Sequence, residues 1–192
     1  PSQTKCSTGT YTIDGRNKLD ILDDSGKIRQ SFSVPDTLQI VQTAWLSEQD
    51  IYATAISENG YGIYHINLNS GCWRNILDPQ PVMITDLRTY QDELTFVCDR
   101  TGVNELYHFD PSACKLYQKT SIRHGGKSFC YSPDGEYLYY TSPTMKGDLV
   151  FRTRTDDLID READFTVYHK YAIAEALTAQ EKELAAAAGE SL

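Results

Sequence analysis

The chain has 192 residues, a net charge of -9, a pI near 4.8 and a mean hydropathy of -0.46. That length admits one large or two small domains, and no apolar run reaches the ~18 residues of a membrane-spanning helix. An acidic balance without a basic block argues against nucleic acid and anionic membrane as partners, because their phosphates are met chiefly by Lys and Arg.

Thirteen Tyr, 6 Phe and 2 Trp suit a pleated, half-buried surface, so a mostly β chain is expected. Runs at 9–14, 18–22 and 28–33, the last two joined by Asp23-Asp24-Ser25-Gly26, predict an incomplete first unit. A second unit is predicted with strands at 39–45, 50–56, 62–67 and 73–77 and a turn at Asn69-Ser70-Gly71. The third has strands at 83–90, 93–98, 105–109 and 116–120, with a turn at Asp110-Pro111-Ser112. The fourth begins at 128–131 and enters Ser132-Pro133-Asp134-Gly135. There Pro presets φ, Asp bonds its own backbone and Gly supplies a positive φ. Strands at 137–141 and 148–152 follow, with a last one from Phe165.

These units repeat. Asp50-Ile51-Tyr52, Glu93-Leu94-Thr95 and Glu136-Tyr137-Leu138 recur at 43 residues, as do Trp45, Arg88 and Tyr131. Ile63-Tyr64-His65-Ile66-Asn67 recurs at the same spacing as Leu106-Tyr107-His108-Phe109-Asp110. A repeated four-stranded antiparallel unit of about 43 residues is the signature of a β-propeller blade, whereas a β-sandwich has no reason for such a period. The predicted fold class is therefore an all-β propeller, small or partial, with units at 1–37, 38–80, 81–121 and 122–167. Propellers have about 4–8 blades. The chain therefore reads as a four-bladed ring, as an assembly with another copy, or as a piece of a longer propeller, and Pro1 at its start favours the last.

The tail at 168–192 differs, being rich in strong helix formers. Thr178 and Glu181 fit a capping box, Gly189 fits a helix stop, and Leu177 and Leu184 give a thin apolar stripe. A marginal solvent-exposed helix is expected over one that docks, because short helices are weak without tertiary packing.

The stretch Y-S-P-D-G-E-Y-L-Y-Y at 131–140 resembles the TolB-type propeller repeat, with its W-S-P-D-G-x-x-I-x-F core. D-R-T-G-V-N-E-L-Y-H-F-D at 99–110 resembles the part that follows in that repeat, S-D-R-x-G-x-x-x-I-Y-x-x-D. Ser47-Glu48-Gln49 and Tyr90-Gln91-Asp92 depart from the Ser-Pro-Asp-Gly of the pattern. L-T-A-Q-E at 177–181 also resembles large envelope proteins of Bacteroidetes-type bacteria. The resemblance implies a propeller of the kind found in periplasmic interaction proteins and in the non-catalytic domain of prolyl-oligopeptidase-like enzymes. Fold alone does not choose between them.

No G-x-S-x-G, H-E-x-x-H, P-loop or G-x-G-x-x-G motif is present, so no catalytic residue, metal ligand or cofactor is assigned. The five Cys include no C-x-x-C pair. Cys98 and Cys130 read as small buried hydrophobes, and a Cys72–Cys114 bridge between repeats is compatible with the pattern. His65 and His108 occupy repeat-equivalent positions, which assigns them to blade geometry. The acid pairs Asp23-Asp24 and Asp156-Asp157 read as solvated turns.

The distinctive surface segment is the loop at 122–127, which sets Arg123, His124 and Lys127 around Gly125-Gly126 in an otherwise acidic chain. Asp99-Arg100 and Asp86 are expected to border it. The predicted function is non-enzymatic binding of a protein or glycan partner in the cell envelope, periplasmic or outer-membrane-associated. Self-association, or association with missing blades, is an allied expectation, and membrane contact is expected only through absent sequence. The alternative is the propeller domain of a prolyl-oligopeptidase-like serine peptidase.

Overall fold

The computed structural model describes residues 5–188 apart from 12, 14 and 92. Four antiparallel sheets follow one another along the chain. The first holds β1 (Lys5–Tyr11), β2 (Asn17–Asp23) and β3 (Ile28–Ser33). The second holds β4 (Gln39–Trp45), β5 (Asp50–Ser57), β6 (Gly60–Asn67) and β7 (Cys72–Gln80). The third is built from β8 (Ile84–Tyr90), β9 (Glu93–Cys98), β10 (Glu105–Asp110) and β11 (Lys115–Gln118). The fourth has β12 (Lys127–Tyr131), β13 (Tyr137–Thr144) and β14 (Gly147–Arg154).

After β14 the chain does not complete the fourth sheet. It crosses back, and β15 (Arg161–Glu162) pairs with β11 as a fifth strand of the third sheet, Tyr117 opposite Glu162 and Gln118 opposite Arg161. The strand expected from Phe165 does not form. Phe165 instead packs on the core between the second and third sheets, with the Arg100 guanidinium 5.4 Å from its ring centre.

The second and third sheets are apolar on both faces because each lies between neighbours. Leu19 and Ile21 of β2 pack against Ile51, Ala53 and Ala55 of β5. Tyr52 and Ile63 on the other face of the second sheet meet Leu94, Phe96 and Cys98 of β9. Val97 and Leu106 on the far face of the third sheet meet Phe129 and Leu138 of the fourth. Among the described residues no core joins the first sheet to the fourth, so the sheets form an open arc.

The 43-residue spacing holds from the second sheet to the third, where Ile51 and Leu94 both face the preceding sheet. From the third to the fourth it is one residue longer, because the residues facing back are Leu138, Tyr140 and Ser142. The cause is the turn. Tyr131 pairs with Leu138 across Ser-Pro-Asp-Gly, where Thr89 pairs with Leu94 across a turn two residues shorter. A strand shifted by one residue exchanges its faces. Cys130, expected inside, is therefore exposed beside Tyr139 on the outer face, while Cys98 is buried as expected. All five cysteines are free, so no Cys72–Cys114 bridge exists.

The tail forms α1 (Ala172–Ala188), which buries no residue. Thr178 is not its cap: the hydroxyl lies in mid-helix and donates to the Ala174 carbonyl at 2.9 Å. Gly189, Asp14 and Asp92 lie outside the described residues.

Candidate functional site

The loop at 122–127 is built from below. Glu105, at the start of β10, is 2% exposed, and its carboxylate accepts from the Ile122 amide at 2.6 Å and from the Thr120 hydroxyl. Burial raises its pKa, while the two donors oppose that shift. The Gly126 amide donates to the Asn104 carbonyl at 2.7 Å, and the Ser142 hydroxyl donates to the Gly125 carbonyl at 2.7 Å. Both glycines are demanded by space. Gly125 has φ +72°, and a Cβ there would lie 2.9 Å from the Asn104 nitrogen. A Cβ on Gly126 would lie 2.5 Å from Cζ of Phe129.

This seating leaves His124 and Lys127 on the wall of an open cleft of about 430 Å³ between the third and fourth sheets. Asp99, Asn104, Pro143, Asp148 and Tyr171 share that wall. Lys127 Nζ lies 2.6 Å from the Asp148 carboxylate, and the Asp99 carboxylate accepts from the Met83 amide at 2.8 Å.

Of the residues singled out in the sequence, Asp99, His124 and Lys127 are thus brought together. Arg123 is exposed on the same turn but does not line the cleft. Arg100 is elsewhere. It is 6% exposed, donates through Nε and Nη2 to the Val167 carbonyl, and lies 5.8 Å from the ring centre of Tyr107. Its own carbonyl accepts from the His169 amide at 2.6 Å, so Arg100 anchors the chain that leads into α1. Asp86 sits in the β8 bulge with φ +52°, 3.7 Å from Arg88. The bulge spends Asp86 on the innermost strand, and no contact joins it to the loop among the described residues.

A second cleft, of about 380 Å³, lies between the same two sheets. It is lined by Tyr90, Glu93, His108, Lys119, Tyr131 and Asp160, among others. His65 and His108 do share a blade position: His65 Nε2 lies 2.8 Å from Asp50, and His108 Nδ1 lies 2.7 Å from Glu93. His108 goes further, since its Nε2 is 2.8 Å from the hydroxyl of Tyr131 in the fourth sheet. With Nδ1–H donated to Glu93, Nε2 accepts the Tyr131 proton. Burial lowers the pKa of His108 and raises that of Tyr131, so both stay neutral. The repeat pointed to His108 and Glu93. The cross-sheet partner Tyr131 had no signal beyond its own repeat position.

Among the described residues no group of three or more His, Cys, Asp or Glu is placed to hold a metal, and no helix is long and apolar enough to cross a membrane.

Stacked antiparallel sheets of three to five strands, joined through successive cores and with β1, β4 and β8 side by side, match a β-propeller architecture. Solved structures that share this propeller fold include TolB proteins and a peptidase. TolB from Acinetobacter baumannii superposes with a TM-score of 0.63 at 16% identity, covering 83% of this chain and 40% of that one. A putative TolB from Agrobacterium tumefaciens gives 0.64 at 14% identity, covering 84% and 61%. A puromycin-hydrolysing peptidase of Mycobacterium tuberculosis gives 0.62 at 12% identity, covering 84% of this chain but 27% of the peptidase. The chain thus spans less than two thirds of each of these proteins. No protein-family model and no curated protein matches it.

Proposed function

We propose that this chain is a non-enzymatic binding module of the bacterial cell envelope, periplasmic or outer-membrane-associated, which holds a protein or glycan partner at the cleft beside the 122–127 loop. The observation that carries the reading is the cleft itself. Its loop is clamped from beneath by buried Glu105 and by two sterically required glycines, and exposed His124 and Arg123 project from that rigid seat. Loops fixed on a rigid scaffold are where propellers and other β folds place recognition. The acidic surface disfavours nucleic acid as the partner, and the likeness to TolB supports an envelope setting. Domain limits at 1–167 for the blades and 168–192 for the tail belong to the same proposal.

The test is retention of envelope components on the immobilised chain, with purified peptidoglycan sacculi as the glycan probe and detergent-solubilised envelope proteins as the other. Retention of one class is expected, with loss of at least tenfold in an Arg123→Glu/His124→Ala double variant that melts like the parent. Undiminished retention by that variant removes the cleft from the proposal. Retention of neither class by the parent removes the binding role.

The second reading, a peptidase propeller, is favoured by the superposition on the puromycin-hydrolysing enzyme. An α/β segment with G-x-S-x-G in the same native polypeptide would decide for it.

A further inference from the structure

Two surfaces of this chain stand uncovered, and their geometry is complementary. The first is the outer face of the fourth sheet. Cross-strand pairing sets Cys130, Tyr139 and Arg152 in one row, and Lys127, Thr141 and Val150 in the next. These rows point away from the third sheet, because the alternate residues Leu138 and Tyr140 pack against it. Val150 is 71% exposed, and Tyr139 is exposed beside it. Arg152 lies over the Tyr137 ring at 4.6 Å and occupies the register of His65 and His108, which pair with Tyr52 and Thr95 as Arg152 pairs with Tyr139. In the third sheet that position meets the next sheet through Tyr131; in the fourth it meets solvent.

The second surface is α1. Ile173, Leu177 and Leu184 fall on one side of the helix, Ile173 is 77% exposed, and no residue of the helix is buried. Glu181 and Glu183 flank that stripe, one on either side, whereas Glu175 lies on the opposite side and meets Lys170 at 3.7 Å. Most helical stability in proteins comes from packing an apolar face, and this 17-residue helix buries none of its own.

We propose that α1 folds back over the outer face of the fourth sheet and caps it. The dimensions agree: 17 residues of helix span about 25 Å, and the 8 residues of β14 span about 26 Å. The charges agree as well: Arg152 stands within these rows, where Glu181 or Glu183 can reach it, while Lys127 already meets Asp148 at 2.6 Å and Arg154 lies 3.9 Å from Asp156. The path is short, because Tyr171, immediately before α1, lines the same cleft as Pro143 and Asp148 at the end of that face. A second copy fits less well. Two fourth sheets face to face would oppose Arg152 and Arg154 to themselves. The outward face of the first sheet offers a polar network in which Thr10 and Ser31 donate to buried Asp20, at 2.7 and 2.5 Å. The structure shows the open arrangement; the capped one covers both apolar surfaces.

Amide exchange by mass spectrometry, with proximity cross-linking, tests this on the whole chain. Amides of 173–184 should exchange at least tenfold more slowly in the parent than in a Val150→Glu/Arg152→Glu variant, whose substitutions lie at exposed positions. A Leu177→Ser/Leu184→Ser variant should lose the same protection from the helix side. With Cys6, Cys72 and Cys114 changed to Ser, a short bismaleimide should join Cys130 to Leu177→Cys within one chain. Exchange of 173–184 at unstructured rates in the parent overturns the proposal, and so does a cross-link that forms only between chains, which would assign the face to a second copy.

Discussion

Replacing Tyr131 by Phe tests the link between the third and fourth sheets. The stacking of ring 131 on Tyr90, at 4.1 Å and 12°, survives the change. What is lost is the hydroxyl that donates to His108 Nε2 at 2.8 Å. The His108 side chain is 6% exposed, so water does not readily replace that donor. An unsatisfied buried acceptor costs about 1–3 kcal/mol. With a urea dependence of about 2 kcal/mol per M for a chain of this size, the midpoint should fall by roughly 1 M. Urea unfolding followed by tyrosine and tryptophan fluorescence measures it. In a His108→Leu background the same Tyr131→Phe change should cost less than half as much. Equal costs in the two backgrounds, or a parent effect below about 0.5 kcal/mol, would refute the argument that this hydrogen bond couples the sheets.

Acidification should weaken the same junction. Burial holds the pKa of His108 below its ordinary 6.5, so the unfolded chain takes up the proton more readily than the folded one. Stability should be fully present above that value and decline as pH falls through it towards the lower folded pKa; the His108→Leu variant should show a flatter profile between pH 7.5 and 5. Gly126→Ala places a methyl group 2.5 Å from Phe129 Cζ and 2.9 Å from Ile122 Cδ1, and overpacking of this order costs about 1–3 kcal/mol. Its melting temperature should drop by several degrees, and an unchanged melt would contradict the packing of that loop. Thiol titration should find Cys6, Cys72, Cys114 and Cys130 fast. Cys98, buried and with its pKa pushed up to about 12, should react only on unfolding. A reductant should leave the melt unchanged, since no disulfide is present.

Much of the fold was legible because a repeat multiplies weak signals. The strands Gln39–Trp45 and Glu93–Cys98 begin and end where the alternation and turn residues predict. The His65 and His108 pair was also read correctly as a blade device, although nothing local announced that His108 alone reaches across to Tyr131. The candidate loop was legible in part. Gly-Gly beside His124 and Lys127 marks it in the sequence, but Glu105, which holds it from 17 residues upstream, carries no such mark.

What the amino-acid sequence determined by itself is the local and periodic part of this protein: which segments are strands, where the chain turns, and that successive units stack as blades. Those properties depend on neighbouring residues and on a period, both of which a linear string contains. What only the tertiary structure decided is which face of a strand looks inward and what a side chain meets there. A turn two residues longer moved Cys130 to the surface. The course of the chain after β14 buried Arg100 under the Val167 carbonyl, away from the candidate loop. Helical continuity turned Thr178 from a cap into a mid-helix residue. Each outcome depends on a one-residue parity or on a contact between distant segments, and neither can be read from spacing along the chain.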